Sequence, residues 1–248
     1  VVRSHQTLGN LFINLQHDDV TEYQRSLKLD EAITSVKYKL EGYKVTQDAF
    51  VSAPDQLLII SLKSEHPNGL NGIIHLSRPK DKGVATTKTF TKKGCLIMEG
   101  EVTQREGAFN SKPNPILEGV QFQTIVQPNH HGGTVKTVED GIELKGVKEI
   151  ELRIVSNSSY YHKNYKSENI NQLSEVQNYS FEDLKGRHVR DHQMLYNRVN
   201  FDIITDNKLQ TIPTDKRLKA IKEGTVDLEL QETLFHFGRY LLIASSRP

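Results

Sequence analysis

The sequence predicts a mainly β fold, in which an antiparallel β-sandwich is followed by helices. Up to about residue 157 the apolar residues recur at every second position between turn signals, as in strands half-buried on a sheet face. Beyond Tyr160 the apolar spacing becomes helical and helix-capping residues appear. The chain is therefore expected to change from strands to helices close to residue 160.

Strands in the first part are predicted from alternation, which places one face of each strand in a core. The clearest alternating sets are Leu11, Ile13 and Leu15; Val36, Tyr38 and Leu40; and Ile150, Leu152 and Ile154. The runs LLIISL (57–62) and GIIHL (72–76) lack clean alternation, so we expect both of their faces to be covered. Asp140 and Gly141 predict a tight hairpin, because both tolerate a positive φ.

Helices are predicted in the second part from their capping residues. The polar segment 167–179 is interpreted as a connector, and Ser180 with Asp183 predicts the N-cap of a long helix over 181–203. A short helix is expected within 212–224, which begins near a proline and ends at a glycine. Asp227 is predicted to cap a last helix.

This last helix is apolar on nearly every side. One stripe at helical spacing comprises Leu230, Leu234, Phe237, Leu241 and Ala244, and further apolar residues flank it. Such a helix needs burial on several sides, and no further helix is predicted to supply it. We therefore expect the chain to be a piece of a larger protein, in which a nearly complete β-domain precedes an unfinished helical domain.

Composition narrows the classes of function. The chain has 248 residues, of which 36% are hydrophobic and 25% charged, as is usual for a folded protein. A formal net charge of +1 gives no electrostatic footprint for nucleic acid or for an anionic membrane. The single cysteine, Cys95, excludes an intrachain disulfide and is expected to be a buried small hydrophobe. No run of 18 apolar residues occurs, and the chain starts at Val1 without a signal segment, so its true start is expected upstream.

Several segments of the chain resemble glycoside hydrolase family 95, the inverting α-L-fucosidases. The junction into the catalytic barrel of that family is similar to RDHQMLYNRVNFDI (190–203), IPTDKRLKAIKEG (212–224) and ETLFHFGRYLLIASSRP (232–248). Upstream similarities in family order are HQTLGNLFINL (5–15), YQRSLKLDEAITSVKY (23–38), TQDAFVSAPDQ (46–56), GGTV (132–135) and SSY (158–160). The resemblance thus covers nearly the whole chain.

The resemblance implies a division into three parts and a function for the whole protein. Residues 1–160 would form a β-sandwich N-terminal domain incomplete at its start, 161–226 a helical linker, and 227–248 the first helix of a truncated (α/α)6 catalytic barrel. The whole protein would hydrolyse terminal α-L-fucosyl or α-L-galactosyl residues with inversion, with no cofactor, acting on a fucosylated oligosaccharide or glycan. The family's catalytic carboxylates have no matching positions here, so the expected partner is the remainder of the barrel. The resemblance alone favours an extracellular or periplasmic location.

A second class of function stays open, a non-catalytic carbohydrate-binding or scaffolding β-sandwich, because a fold does not dictate chemistry. We expect no metal site. His188 and His192 have a spacing that could hold zinc, but we expect them to pack or form hydrogen bonds. His130 and His131 precede two glycines and are expected in a solvated loop. Asp191 and Asp202, if both lie on one helix, are about 16 Å apart, too far to act across one glycosidic bond.

Four residues are candidates for a place near the substrate. Ser245, Ser246 and Arg247 follow the last helix, where the active-site segment of the family would begin, and Arg offers a rigid fork of donors. The alternative is that Arg247 only meets the free carbonyls at the end of the helix. Tyr160 lies in the hydroxyl-rich stretch 156–165, which either presents a sugar-binding surface or is an ordinary loop between domains.

Overall fold

The computed structural model describes residues 7–80, 86–102, 119–139, 141–206, 209 and 211–246, and within them twelve strands and four helices form. The strands are β1 Asn10–Leu15, β2 Val20–Lys28, β3 Ile33–Leu40, β4 Tyr43–Ser52, β5 Leu57–Ser64, β6 Leu70–Ser77, β7 Thr87–Lys92, β8 Cys95–Glu101, β9 Gln121–His131, β10 Thr134–Val138, β11 Gly141–Val147 and β12 Glu149–Ser158. The helices are α1 Tyr165–Glu175, α2 Phe181–Tyr196, α3 Thr214–Lys222 and α4 Leu228–Ser245.

The strands form two antiparallel sheets. The smaller sheet has the order β1-β6-β11-β10 and the larger has the order β2-β3-β4-β5-β12-β9-β8-β7. In the smaller sheet Val138 of β10 lies opposite Gly141 of β11, which confirms the predicted hairpin, although Asp140 itself lies outside the described residues. The predicted mainly β, antiparallel fold followed by helices is thus confirmed.

The main core lies between the two sheets. It is built from alternate positions of facing strands, including Ile74, Leu144 and Leu152, each of which is fully buried. Leu11, Ile13 and Leu15 pack against this core, and the alternating set of β12 lies within it, as predicted. Fully burying one such side chain stabilises the fold by about 1.5–3 kcal/mol.

A second core lies between the other face of the larger sheet and the helices α1 and α2. Leu57 and Ile59 of β5 belong to this core, whereas Ile60 and Leu62 belong to the main core, so the prediction that LLIISL is covered on both faces is confirmed. The same prediction is wrong for GIIHL. That strand lies in the smaller sheet, whose outer face carries no described helix, and Ile73 is exposed there.

Helix α1 occupies the segment that was predicted to be a connector, so that prediction is wrong. Tyr165, Asn169 and Leu173 recur at every fourth position and are buried against the sheet. The Nδ2 of Asn169 donates a 2.9 Å hydrogen bond to the carbonyl oxygen of Gln123 in β9. The buried face therefore includes an asparagine that hydrogen-bonds to the sheet, which a search for apolar periodicity overlooks.

Helix α2 begins as predicted and ends earlier than predicted. Ser180 and Asp183 form a capping box, with Asp183 N–H donating to Ser180 Oγ at 3.1 Å and Ser180 N–H donating to the Asp183 carboxylate at 3.0 Å. The helix stops at Tyr196, seven residues before the predicted end at 203. Asp202 therefore does not share a helix with Asp191, and the separation derived from one continuous helix does not apply.

Helices α3 and α4 have the predicted caps. Gly224 ends the α3 segment with a φ of +98°, and the carboxylate of Asp227 accepts the Leu230 N–H at 2.8 Å at the start of α4. Much of the apolar surface of α4 is nevertheless exposed: Leu234 is 68% exposed and Leu242 66%. In the described part of the chain, no helix combines the length and apolarity that a membrane span requires.

Candidate functional site

Tyr160 lies on the turn that follows β12. The turn is fixed by Ser159, whose N–H donates to the Gln121 carbonyl oxygen at 2.8 Å and whose Oγ accepts the Gln121 N–H at 2.9 Å. The rings of Tyr160 and Tyr161 contact edge to face with centroids 4.9 Å apart, and both are largely exposed. Two aromatic faces are thus held at a fixed place near the start of the helical region.

Ser245 and Ser246 end α4, far along the chain from this turn. The Oγ of Ser245 donates to the Leu241 carbonyl oxygen at 2.8 Å, and the N–H of Ser246 donates to the Leu242 carbonyl oxygen at 3.0 Å. Arg247 and its predicted contact with free carbonyls lie outside the described residues. Within those residues no hydrogen bond or ring contact joins Tyr160 to the two serines.

His188 and His192 attach α2 to the β-domain. Their Nε2 atoms donate to carbonyl oxygens of the β2–β3 turn, His188 to Ala32 at 3.3 Å and His192 to Leu29 at 2.8 Å. Burial lowers the pKa of His188, whose ring stacks on Phe50 with centroids 4.8 Å apart. The predicted packing role fits these contacts. The described residues hold no group of three or more His, Cys, Asp or Glu side chains suited to a metal ion.

Segment 199–206 runs beside α4 without regular structure, and side chains of α4 satisfy its backbone. Such contacts replace the hydrogen bonds that a longer α2 would have made. The donor–acceptor pairs are His236 Nε2 to the Phe201 carbonyl (2.8 Å), Arg239 Nη1 to the Val199 carbonyl (2.7 Å) and the Ile203 N–H to the Glu232 carboxylate (2.9 Å). These contacts from α4 hold the segment after Tyr196 in a non-helical conformation, so α2 ends before the predicted residue 203.

Comparison with known families assigns both halves of the chain. Residues 2–163, well over half of the chain, match the model described as glycosyl hydrolase family 65, N-terminal domain. The chain belongs to this family of glycosyl hydrolase domains. Residues 180–248, which contain α2 to α4, match the glycosyl hydrolase family 95 catalytic domain. The resemblance to family 95 that the sequence carries is thereby confirmed.

Two curated relatives match this glycosyl hydrolase chain over nearly its whole length. "Alpha-L-fucosidase 2" of Arabidopsis thaliana is 28% identical over 98% of the chain, and "Probable alpha-fucosidase A" of Aspergillus niger is 25% identical over 99%. The chain spans only 32% and 31% of these two proteins. A solved structure described as "Putative kojibiose phosphorylase from human microbiome" aligns with 74% of the chain and 24% of its own length, at 13% identity and a TM-score of 0.48.

Several carboxylates in the helical part of the chain are held by structural contacts. Arg217 of α3 donates two hydrogen bonds, of 2.8 and 2.7 Å, to Asp227, and its guanidinium lies 3.9 Å from Glu229. The hydrogen bond from Arg217 lowers the pKa of Asp227, which therefore stays ionised as the cap of α4. The sequence analysis missed Arg217, although an arginine ten residues before a capping aspartate was a usable signal. A carboxylate held in this way is a poor general acid.

Proposed function

We propose that the chain is the N-terminal part of an inverting exo-glycosidase that hydrolyses terminal α-L-fucosyl or α-L-galactosyl residues of glycans, with its catalytic residues outside this chain. The observation that carries this proposal is the match of residues 180–248 to the family 95 catalytic domain. The two curated relatives, both named as fucosidases, support the same substrate class. Because the chain spans about a third of each relative, there is room for a catalytic barrel elsewhere in the protein.

The chemistry of inversion supports a catalytic centre beyond these residues. One carboxylic acid protonates the leaving oxygen while a carboxylate on the opposite face activates water, with the two groups about 6.5–9.5 Å apart. In the helical part of the chain, Asp227 and Glu229 lie beside Arg217, and Glu232 accepts the N–H of Ile203. These three side chains therefore have structural contacts that a catalytic acid or base would have to give up.

We assign residues 1–160 to a β-sandwich domain, 161–226 to a helical linker and 227–248 to the first helix of a catalytic barrel. Phe181 and Leu184 of α2 are buried against the sheet in the second core, and this packing attaches the linker to the β-domain. The exposed apolar side chains of α4 are then the surface against which the remainder of the barrel packs. Covering Leu234 and Leu242 alone would stabilise the complete protein by about 1.5–3 kcal/mol each.

Tyr160, Ser245, Ser246 and Arg247 are proposed to border the substrate. The exposed ring of Tyr160 offers an apolar face on which a pyranose ring can stack. Ser245 and Ser246 stand at the end of α4, from which the chain continues into the segment that would complete the site. Neither group supplies an acid or a base, so their role would be to bind the sugar and not to transfer protons.

The decisive experiment compares two purified proteins, residues 1–248 alone and the same chain extended by everything that follows it in its gene. We expect only the extended protein to hydrolyse an aryl α-L-fucoside. Proton NMR of the first turnovers should show β-L-fucose before mutarotation, since inversion reverses the anomeric configuration. Hydrolysis by residues 1–248 alone, or α-L-fucose as the first product, would contradict the proposal.

A control variant tests whether the catalytic carboxylates lie outside residues 1–248. The extended protein carrying Asp202→Asn, in a segment that packs beside α4, should keep its activity, because the catalytic carboxylates are proposed to lie elsewhere. Glycan binding by the extended protein without any hydrolysis would favour the alternative, a non-catalytic carbohydrate-binding or scaffolding module.

A further inference from the structure

Two neighbouring cavities meet beside the β1–β2 connection, and the proposed function uses neither. One, of about 340 Å³, lies over the outer face of the smaller sheet, and the other, of about 270 Å³, lies at the end of the sandwich. Gln16 lines both cavities, so they are adjacent, and together they are called the groove below. Helices α1 and α2 cover the opposite side of the β-domain, on the far face of the larger sheet.

The cavity on the sheet face has an apolar floor with a polar border. Ile73 and Val138 contribute the apolar surface, and Asn14 and Glu143 contribute polar groups. Strand register sets Asn14 opposite Ile73 on one side and Glu143 opposite Ile73 on the other. An apolar floor with a few fixed polar groups is the usual composition of a small-molecule site, and it matches a sugar ring with one CH face and a rim of hydroxyls.

The cavity at the sandwich end is polar. Asp18, Asp19 and Glu41 supply carboxylates, and Asn68 and Asn71 supply amides. The amide of Asn71 is fixed, because its Oδ1 accepts the Gly146 N–H at 3.0 Å and its Nδ2 donates to the Asn68 carbonyl oxygen at 3.2 Å. Carboxylates and amides of this kind accept hydrogen bonds from hydroxyl groups that lie side by side.

A buried histidine orients one of these carboxylates. His66 is 6% exposed, and its Nδ1 accepts the Asn68 N–H at 3.2 Å. Its Nε2 therefore bears a hydrogen, which is directed at the Glu41 carboxylate 3.1 Å away. Because Nδ1 is already occupied, the ring cannot turn over without losing the Asn68 bond, and Glu41 has a fixed donor at the edge of the cavity.

The charged residues that line the groove restrict the kinds of ligand that can bind there. None of the described residues that line the two cavities is Lys or Arg, whereas four of them are carboxylates. Glu143 is paired with Lys145 at 3.1 Å. The Nζ of Lys148 donates to the carbonyl oxygens of His66 and Pro67 beside the polar end, so Asp18, Asp19 and Glu41 outnumber this cation. An anionic ligand would be repelled, while a neutral ligand rich in hydroxyls can donate to these carboxylates.

We propose that this groove binds a neutral oligosaccharide, as a glycan site on the side of the β-domain opposite helices α1 and α2. The two cavities would take successive sugar units, the first stacked on Ile73 and Val138 and the second bound by the polar end around Glu41. The choice of a neutral oligosaccharide over a cationic ligand or another neutral one rests on the proposed function, in which the protein acts on glycans.

The test is titration of the 248-residue chain with three oligosaccharides, followed by isothermal calorimetry and saturation-transfer NMR. Fucosyllactose and lactose are the neutral probes and sialyllactose is the anionic one. We expect both neutral probes to bind. We expect the Asn14→Ala/Gln16→Ala variant and the single variant Glu41→Gln each to bind fucosyllactose about tenfold more weakly. Sialyllactose should bind more weakly than fucosyllactose.

A matched control is Gln177→Ala/Asn178→Ala, which removes the same two types of side chain from an exposed turn on the helical side and should leave binding unchanged. Circular dichroism should give all the variants the unfolding temperature of the parent chain. The proposal would be overturned if the neutral probes did not bind, or if the groove variants bound fucosyllactose as tightly as the parent chain does. It would also be overturned if sialyllactose bound more tightly than fucosyllactose. Fucosidase activity of the extended protein without binding in the groove would refute this site alone, and binding without any hydrolysis would refute only the proposed function.

Discussion

The Nη1 of Arg153 in β12 donates a 2.6 Å hydrogen bond to the carbonyl oxygen of Val176, at the end of α1. Its Nη2 donates to the Tyr179 carbonyl oxygen at 2.6 Å, and its Nε donates to the Glu151 carboxylate at 2.5 Å. Arg153 is 3% exposed. One strand residue thus fixes the connection between α1 and α2, and with it the direction in which the helical segment leaves the sheet.

We predict that Arg153→Met destabilises the chain by about 3–5 kcal/mol, because it leaves the Glu151 carboxylate and two carbonyl oxygens without their donor. The measurement is urea unfolding followed by circular dichroism. Lys63→Met is the control, since Lys63 pairs with Glu149 at 2.8 Å on the surface of the same sheet and should contribute about 1 kcal/mol or less. Equal losses for the two variants would contradict the importance of Arg153.

A second prediction concerns the dependence of stability on pH. Burial lowers the pKa of His188 below its ordinary value of 6.5, so the unfolded chain binds a proton more readily than the folded chain. The stability that depends on neutral His188 is therefore complete above pH 6.5 and falls as the pH drops below it. The slope approaches about 1.4 kcal/mol per pH unit for one proton.

His188→Gln should flatten this slope, because glutamine keeps a donor for the Ala32 carbonyl oxygen and does not titrate. Met194→Gln, on the exposed side of the same helix, is the matched control and should keep the parental slope. The measurement is the free energy of urea unfolding at a series of pH values between 7 and 5. An unchanged slope in His188→Gln would assign the acid sensitivity to other groups.

The two-residue period of apolar side chains was sufficient to predict the sheets, because a strand buried on one face has apolar residues at every second position. It failed for polar residues that are buried beneath the helices. Arg153 alternates with apolar neighbours and has the position of a solvent-facing residue, yet it is buried under the α1–α2 connection. Helix α1 escaped prediction for a related reason: Asn169 within its buried face is satisfied by hydrogen bonds to Gln123. Polar burial of this kind depends on partners that are distant in sequence.

The helix caps were predicted correctly, since Ser180 and Asp227 each accept a hydrogen bond from the backbone N–H three residues further on. The end of α2 was not predicted correctly. It depends on Arg239 and His236, about forty residues further on, which hydrogen-bond to the carbonyl oxygens of Tyr196 and Phe201. The groove beside β1 was also missed. Its polar groups come from three connections separated by dozens of residues, and only the strand register brings them together.

A third prediction follows from the apolar surface of α4. We expect residues 1–248 alone to self-associate through this helix, because the described residues leave Leu234 and Leu242 exposed and a second copy of the chain can bury them. Leu234→Lys/Leu242→Lys should be monomeric in sedimentation velocity. Val51→Lys/Ile170→Lys removes two side chains of similar exposure from β4 and α1 and should leave the association intact. Co-expression with the segment that follows residue 248 should replace self-association by a stable complex.

The last prediction tests whether the turn after β12 borders the substrate. In the extended protein, Tyr160→Ala should raise KM for an aryl α-L-fucoside about three- to tenfold with little change in kcat, because a stacked aromatic face binds the sugar equally before and during the reaction. Tyr161→Ala is the matched control. Its ring, 81% exposed, contacts Tyr160 edge to face and should influence KM only through that contact. Ser245→Ala should raise KM less than Tyr160→Ala does, since the Ser245 hydroxyl already donates to the Leu241 carbonyl oxygen and can only accept a hydrogen bond from the sugar. A larger effect for Tyr161 or Ser245 than for Tyr160 would reverse the assignment, and no effect of any of them would make this turn an ordinary connection between the domains.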